Sequence, residues 1–155
     1  ITVNNLIVGE IIWAGTKGLF FSFAVLCILT PFGIVRLPQA LLAPLVGFLT
    51  GVMFASMSLL VTSFVKTINH FNFYMTGFLS PMFFFSGVVF PVSNLPRPVQ
   101  FVAQVVPLTH SVRLVRAVCL SRYDPGLLAN LAYILVFVAV FGALAVRRLR
   151  RRLVS

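Results

Sequence analysis

Ser80–Arg116 reads SPMFFFSGVVFPVSNLPRPVQFVAQVVPLTHSVRLVR, and the fold turns on how this stretch is read. It opens inside an apolar run and then breaks at Pro91, Pro96, Pro98 and Pro107. Between the breaks it stays mostly apolar, yet no piece after Pro91 is long enough to cross a bilayer, which takes about 20 residues. Soluble cores and simple membrane anchors are not built this way. The pattern predicts two short helices dipping into one membrane face, packed against neighbouring spans.

The rest of the chain places that stretch in lipid. Hydrophobic residues make up 60% of the chain and charged residues 9%, where soluble domains carry roughly 25% charged residues. Mean hydropathy is +1.08. Twelve Lys and Arg stand against only two acids, Glu10 and Asp124. A net charge of +10 raises nucleic-acid binding, but the placement of the charges argues against it. Five of the twelve fall in the closing RRLRRRLVS, and the others sit singly between apolar runs, as loop charges flanking membrane spans do. The chain opens at Ile1 with no basic region ahead of an apolar core, so no signal peptide is expected and the chain reads as the C-terminal part of a longer protein. Cys27 and Cys119 fit no metal or redox spacing and read as small buried thiols.

Four spans are expected, at about 11–35, 39–65, 71–90 and 126–146, in one all-α transmembrane domain over 1–155. Four crossings put both chain ends on one side. If the arginine tail is cytoplasmic, Lys17 and Lys66 join it, giving seven positive charges inside. Arg36, Arg97, Arg113, Arg116 and Arg122 then make five outside. The tail abuts its span directly, so a cytoplasmic C-terminus and an outer Pro91–Asp124 segment are expected. In the second span Ala43, Gly47, Gly51 and Ala55 recur every four residues, a strip that lets another helix approach closely. Packing within the chain is the leading reading of that strip, and a subunit interface the alternative.

The outer helical pair is expected over about 95–120. Ser93 or Asn94 is placed to cap a first helix that tolerates Pro96 and Pro98 in its opening turn. Pro107 ends it, and Thr109 is placed to cap a second helix running to about Leu120, with Arg113 and Arg116 on one face. Phe83, Phe84, Phe85 and Phe90 crowd the outer end of the third span. They read as lipid-facing bulk or as an apolar wall for a lipid-like substrate. Arg113, Arg116 and Arg122, on the same side, read as snorkelling side chains or as partners of an anionic headgroup or a glycan.

Catalysis has little to stand on. His70 lies among Asn69 and Asn72 in what reads as a cytoplasmic turn, and His110 follows Thr109 at a helix start. Neither histidine has an orienting acid, and Ser80 and Ser111 lack a nucleophile turn. No glycine-rich phosphate loop or Walker lysine is present, so ATP hydrolysis would fall to another subunit. No catalytic residue, metal site or cofactor is assigned to this chain.

Three stretches now carry a resemblance. GEIIWAGTK at Gly9–Lys17, SPMFFFSGVVFPVSNLP at Ser80–Pro96 and PLTHSVRLVR at Pro107–Arg116 resemble the permease subunits of type-2 ABC exporters, across essentially the whole chain. The resemblance implies a six-span permease of the bacterial cytoplasmic membrane, of which this chain supplies the last four spans. It implies a dimer of permeases working with separate ATPase subunits that use ATP and Mg. It implies a short coupling helix, here Thr2–Glu10 with Thr2, Asn4, Asn5 and Glu10, and a re-entrant pair bearing Pro91, Pro96, Pro107, Arg113 and Arg116. Outward movement of a lipooligosaccharide or similar amphiphile by alternating access is the implied activity. Export of drugs or polysaccharide, or a scaffold without transport, remains open at this point.

Overall fold

A computed structural model describes residues 2–154, with side chains through Arg152. The two ends of the expected domain, Ile1 and Ser155, lie outside the described residues. The described residues are helical with no strand: α1 (Val3–Leu29), α2 (Ala43–Phe64), α3 (Ile68–Tyr74), α4 (Ser80–Phe85), α5 (Arg97–Val105), α6 (Pro107–Leu120) and α7 (Gly126–Val154). Three stretches are long and apolar enough to cross a membrane: Val3–Phe32, Gln39–Phe64 and Gly126–Arg152. Their apolar side chains point mostly outward, as lipid-bathed helices do; Phe20, Phe21 and Leu128 are among the exposed residues.

Several hydroxyl side chains inside these helices are satisfied on their own helix. Thr16, Thr50 and Ser56 donate to the carbonyls of Ile12, Val46 and Val52, at 2.8, 2.8 and 2.9 Å. A polar group in hydrocarbon needs such a partner, and the carbonyl one turn back is the nearest available.

α1 and α2 pack antiparallel, and the small-residue strip is the reason. A Cβ added to Gly51 would lie 2.6 Å from the Ala14 carbonyl oxygen, and one added to Gly47 would lie 2.5 Å from Ser22 Cβ. At Gly18 it would run into the Gly47 carbonyl. Ser22 Oγ donates to the Ala43 carbonyl at 3.2 Å, one turn further along the same seam. Ala43, Gly47 and Gly51 thus face α1 within the chain.

α7 runs parallel to α2. Ile134 is fully buried with Met53, Val46, Leu114 and Val118 in the largest core cluster. At the far end Arg152 Nη1 donates to the carbonyls of Thr62, Ser63 and Val65 at 3.2, 3.0 and 3.1 Å. Those carbonyls end α2 and have no partner within it. At the opposite end the Arg36 N–H donates to the Cys119 carbonyl at 3.1 Å, and Ser121 Oγ donates to Gln39 Oε1. These bonds tie the end of α6 to the loop between α1 and α2.

Several expected boundaries move. The first span starts at Val3 and its α-helix ends at Leu29, followed by a 3-10 turn and a left-handed Gly33. Thr2–Glu10 is therefore not a separate helix: Thr2 is the N-cap and the rest is continuous with the span. The last helix does not stop at Val146 but carries the arginine tail to Val154. The expected third span, 71–90, is helical only over 68–85 and is broken by a π turn at Met75–Leu79. Pro81 accounts for the break, since it has no N–H to donate back and its ring crowds the preceding turn. Past Phe85 the chain turns at Gly87, whose φ of 88° favours glycine.

Candidate functional site

The helical pair forms where the sequence placed it, with different caps. Pro96, not Ser93 or Asn94, is the N-cap of α5, and no side chain caps it. Ser93 and Asn94 lie in a 3-10 turn, and Gln100 Nε2 reaches back to the Leu95 carbonyl at 2.7 Å. Pro107 does not merely end α5; it is the first residue of α6. A proline fits there because that N–H needs no helical partner. Thr109 is consequently inside the helix, and its buried Oγ1 has no hydrogen-bond partner among the described residues.

His110 locks the pair to α7. Its Nδ1 lies 2.7 Å from Asn130 Oδ1 and its Nε2 lies 2.8 Å from the Gln104 carbonyl oxygen. The ring stacks on Tyr133 at 3.9 Å between centroids, and Tyr133 Oη donates to the Val105 carbonyl at 2.5 Å. Both ring nitrogens are thereby occupied, which leaves no base for Ser111. His70 is exposed at the start of α3. No spacing signal in the sequence links Gln104, Asn130 and Tyr133 to His110, so far apart in the chain do they lie.

Arg116 reaches the third expected segment: Nη2 donates to the Gly87 carbonyl at 2.6 Å. The turn after α4 is thus fastened to α6. Phe83, Phe84, Phe85 and Phe90 face outward, between 39% and 56% exposed. They line no part of the main cleft, where Val88 stands instead.

That cleft, of about 590 Å³, opens between α1, α2 and α6. Phe21 and Val25 of α1, Phe54 of α2, and Leu108, Val112 and Val115 of α6 give it apolar walls. Ser22, Thr50, Ser111 and Arg116 are its polar groups. Ser111 Oγ is buried without a partner among the described residues. The size falls in the range that holds a small ligand or a segment of an amphiphile. A second cleft of about 430 Å³ lies on the other side of Arg116, between α6 and the start of α7, and is lined by Arg113, Arg122 and Asp124 as well.

At the other end of the bundle, Thr2, Asn4, Asn5 and Glu10 are exposed on the first turns of α1. Ile7 between them is buried. Lys17 Nζ sits 5.1 Å from the centre of the Trp13 ring.

Apolar spans, hydroxyls satisfied within them and a broken helical pair before the last span define a multi-pass membrane protein. The ABC-2 type transporter family matches residues 2–120, and the chain belongs to that family. It is similar to nodulation protein J of Sinorhizobium fredii, 37% identical over 155 residues, covering 100% of this chain and 59% of that protein. Nodulation protein J of Rhizobium meliloti is 32% identical over 153 residues, covering 99% and 58%. The Bradyrhizobium diazoefficiens protein of the same name gives the same figures. The chain thus spans under two thirds of the length of these relatives. No solved structure matches.

Proposed function

We propose that this chain is the membrane-spanning part of an ABC exporter permease, moving an amphiphile such as a lipooligosaccharide outward by alternating access. The observation that carries the reading is the apolar cleft between α1, α2 and α6, in a chain of the ABC-2 type transporter family. A mainly apolar cleft with a few hydroxyls suits the chain of a lipid-like cargo better than a free sugar. Similarity to nodulation protein J supports an exporter of that kind.

In this reading two copies work with two separate ATPase subunits, which bind ATP and Mg. The exposed face of Thr2, Asn4, Asn5 and Glu10 receives the ATPase on the cytoplasmic side. Because those residues are continuous with α1, motion at the ATPase passes directly to the α1–α2 seam. The segment 68–85 is the fourth crossing, and α5–α6 is a re-entrant pair at the outer face of the bacterial cytoplasmic membrane, with the C-terminus inside.

The test is co-expression of the full-length permease with its ATPase, followed by purification and reconstitution. A stable complex with cargo-stimulated ATP hydrolysis is expected. An Asn5→Ala/Glu10→Gln variant should insert normally yet lose coupled hydrolysis by roughly tenfold, the effect of losing a well-placed interface contact. Unchanged coupling would sink the docking assignment. Failure to recover any ATPase with the permease would sink the exporter reading.

A further inference from the structure

We infer that the cleft between α6 and the start of α7 is a binding site for a phosphate-type anionic group, supplied by a lipid headgroup or free in solution. Arg113 and Arg116 of α6 and Arg122 of the following loop line this one space of about 430 Å³. Asp124 is the only acid there. Among the described residues Asp124 forms no ion pair, and the guanidiniums of Arg113 and Arg122 have no hydrogen-bond partner. Arg116 is held in place by the Gly87 carbonyl.

The cleft has further features that suit an anion. Gly126 and Leu127, the first residues of α7, form part of its wall. This is the positive end of the dipole of a 29-residue helix with no acid in its first turn, although Asp124 lies just before it and its carbonyl accepts the Leu127 N–H at 2.9 Å. A Cβ on Gly126 would meet nothing within 4 Å, so the approach is open. Three guanidiniums against one carboxylate leave this cleft with an excess of positive charge, and planar guanidinium forks fit phosphate oxygens well. Snorkelling alone spreads such side chains toward water; here they line a common cleft. Arg116 also lines the apolar cleft on the other face of α6. An acyl chain in that cleft and a charged headgroup in this one would be joined across a single side chain.

The experiment uses full-length permease in phosphatidylcholine nanodiscs, without the ATPase, so its outcome is independent of the export reading. Dihexanoyl phosphatidic acid and inorganic pyrophosphate are titrated, with thermal unfolding as the readout. Phosphatidic acid is expected to raise Tm saturably. Arg113→Gln and Arg122→Gln should each weaken its binding roughly tenfold, the loss of a charge-assisted hydrogen bond. Arg97→Gln, lining a different cleft, should leave binding unchanged, and Asp124→Asn should tighten it. Pyrophosphate binding with the same dependence identifies the anionic group itself as what is recognised. Binding of phosphatidic acid alone identifies a lipid headgroup. Binding by the Arg113→Gln/Arg122→Gln protein equal to that of the parent overturns the site, as does an equal loss in Arg97→Gln.

Discussion

Gly47 meets α1 at both Ser22 and Gly18: an added Cβ would lie 2.5 Å from Ser22 Cβ and 2.8 Å from the Gly18 carbonyl oxygen. Backbone cannot swing aside as a side chain can, so the two helices would have to part. Gly47→Ala is therefore expected to destabilise the bundle by about 1–3 kcal/mol, as overpacking of a close contact does. Gly9→Ala, on the same seam's helix but with nothing within 4 Å, is the control and should cost nothing. Thermal unfolding in detergent of the two variants beside the parent measures the difference. The strip was legible in the sequence because four-residue spacing on a helix defines one face. His110 was not. Its contacts to Gln104, Asn130 and Tyr133 join three helices, and only the packed bundle brings them to one ring.

Among the elements, the helix boundaries depart most from expectation where a distant partner intervenes. The expected last span ends at Val146, ahead of the arginine tail, whose weight in the reading is one of local charge. In the structure the tail stays helical and one of its side chains completes α2, through three carbonyl bonds from Arg152. Arg148 lies over the Phe64 ring nearby, 4.0 Å from its centre. Sequence cannot pair position 152 with position 63, because neither helix needs the other to form. Arg152→Ala is expected to destabilise by about 1–2 kcal/mol, since water at the membrane edge replaces part of what is lost. Arg152→Lys should recover part of the loss, since all three bonds come from one guanidinium nitrogen and an ammonium on a shorter stem also carries three donors. Hydrogen exchange at the last turn of α2 measures the local loss alongside global stability. By contrast, the break at Pro107 was legible because proline acts through its own ring and missing N–H, wherever the rest of the chain lies.

At the scale of the whole molecule, the two ends of the bundle are marked by independent contacts. Arg152 and Phe64 lie at one end, while Arg36, Cys119 and Gln39 lie at the other. Chain continuity puts Lys66 at the first end, directly after α2. The Arg116–Gly87 bond joins the turn after α4 to α6, whose own C-terminal end lies at the second. The segment from Ile68 to Phe85 must therefore travel between the ends, although its π turn and modest length keep it from reading as a single regular span. Its helical length, roughly 27 Å at 1.5 Å per residue, approaches the hydrocarbon thickness of about 30 Å. Four crossings rather than three follow if it does so through lipid. In a full-length background with Cys27 and Cys119 replaced by alanine, Arg97→Cys should react with a membrane-impermeant maleimide on intact cells. Lys66→Cys should react only after the membrane is opened. Equal labelling of both from outside would mean that the segment turns back on its own side, leaving three crossings and placing the arginine tail opposite the first turns of α1. That arrangement is hard to reconcile with the antiparallel α1–α2 seam and the parallel α2–α7 pair. Both already put the N-terminus of α1, the end of α2 and the end of α7 together at one face of the bundle.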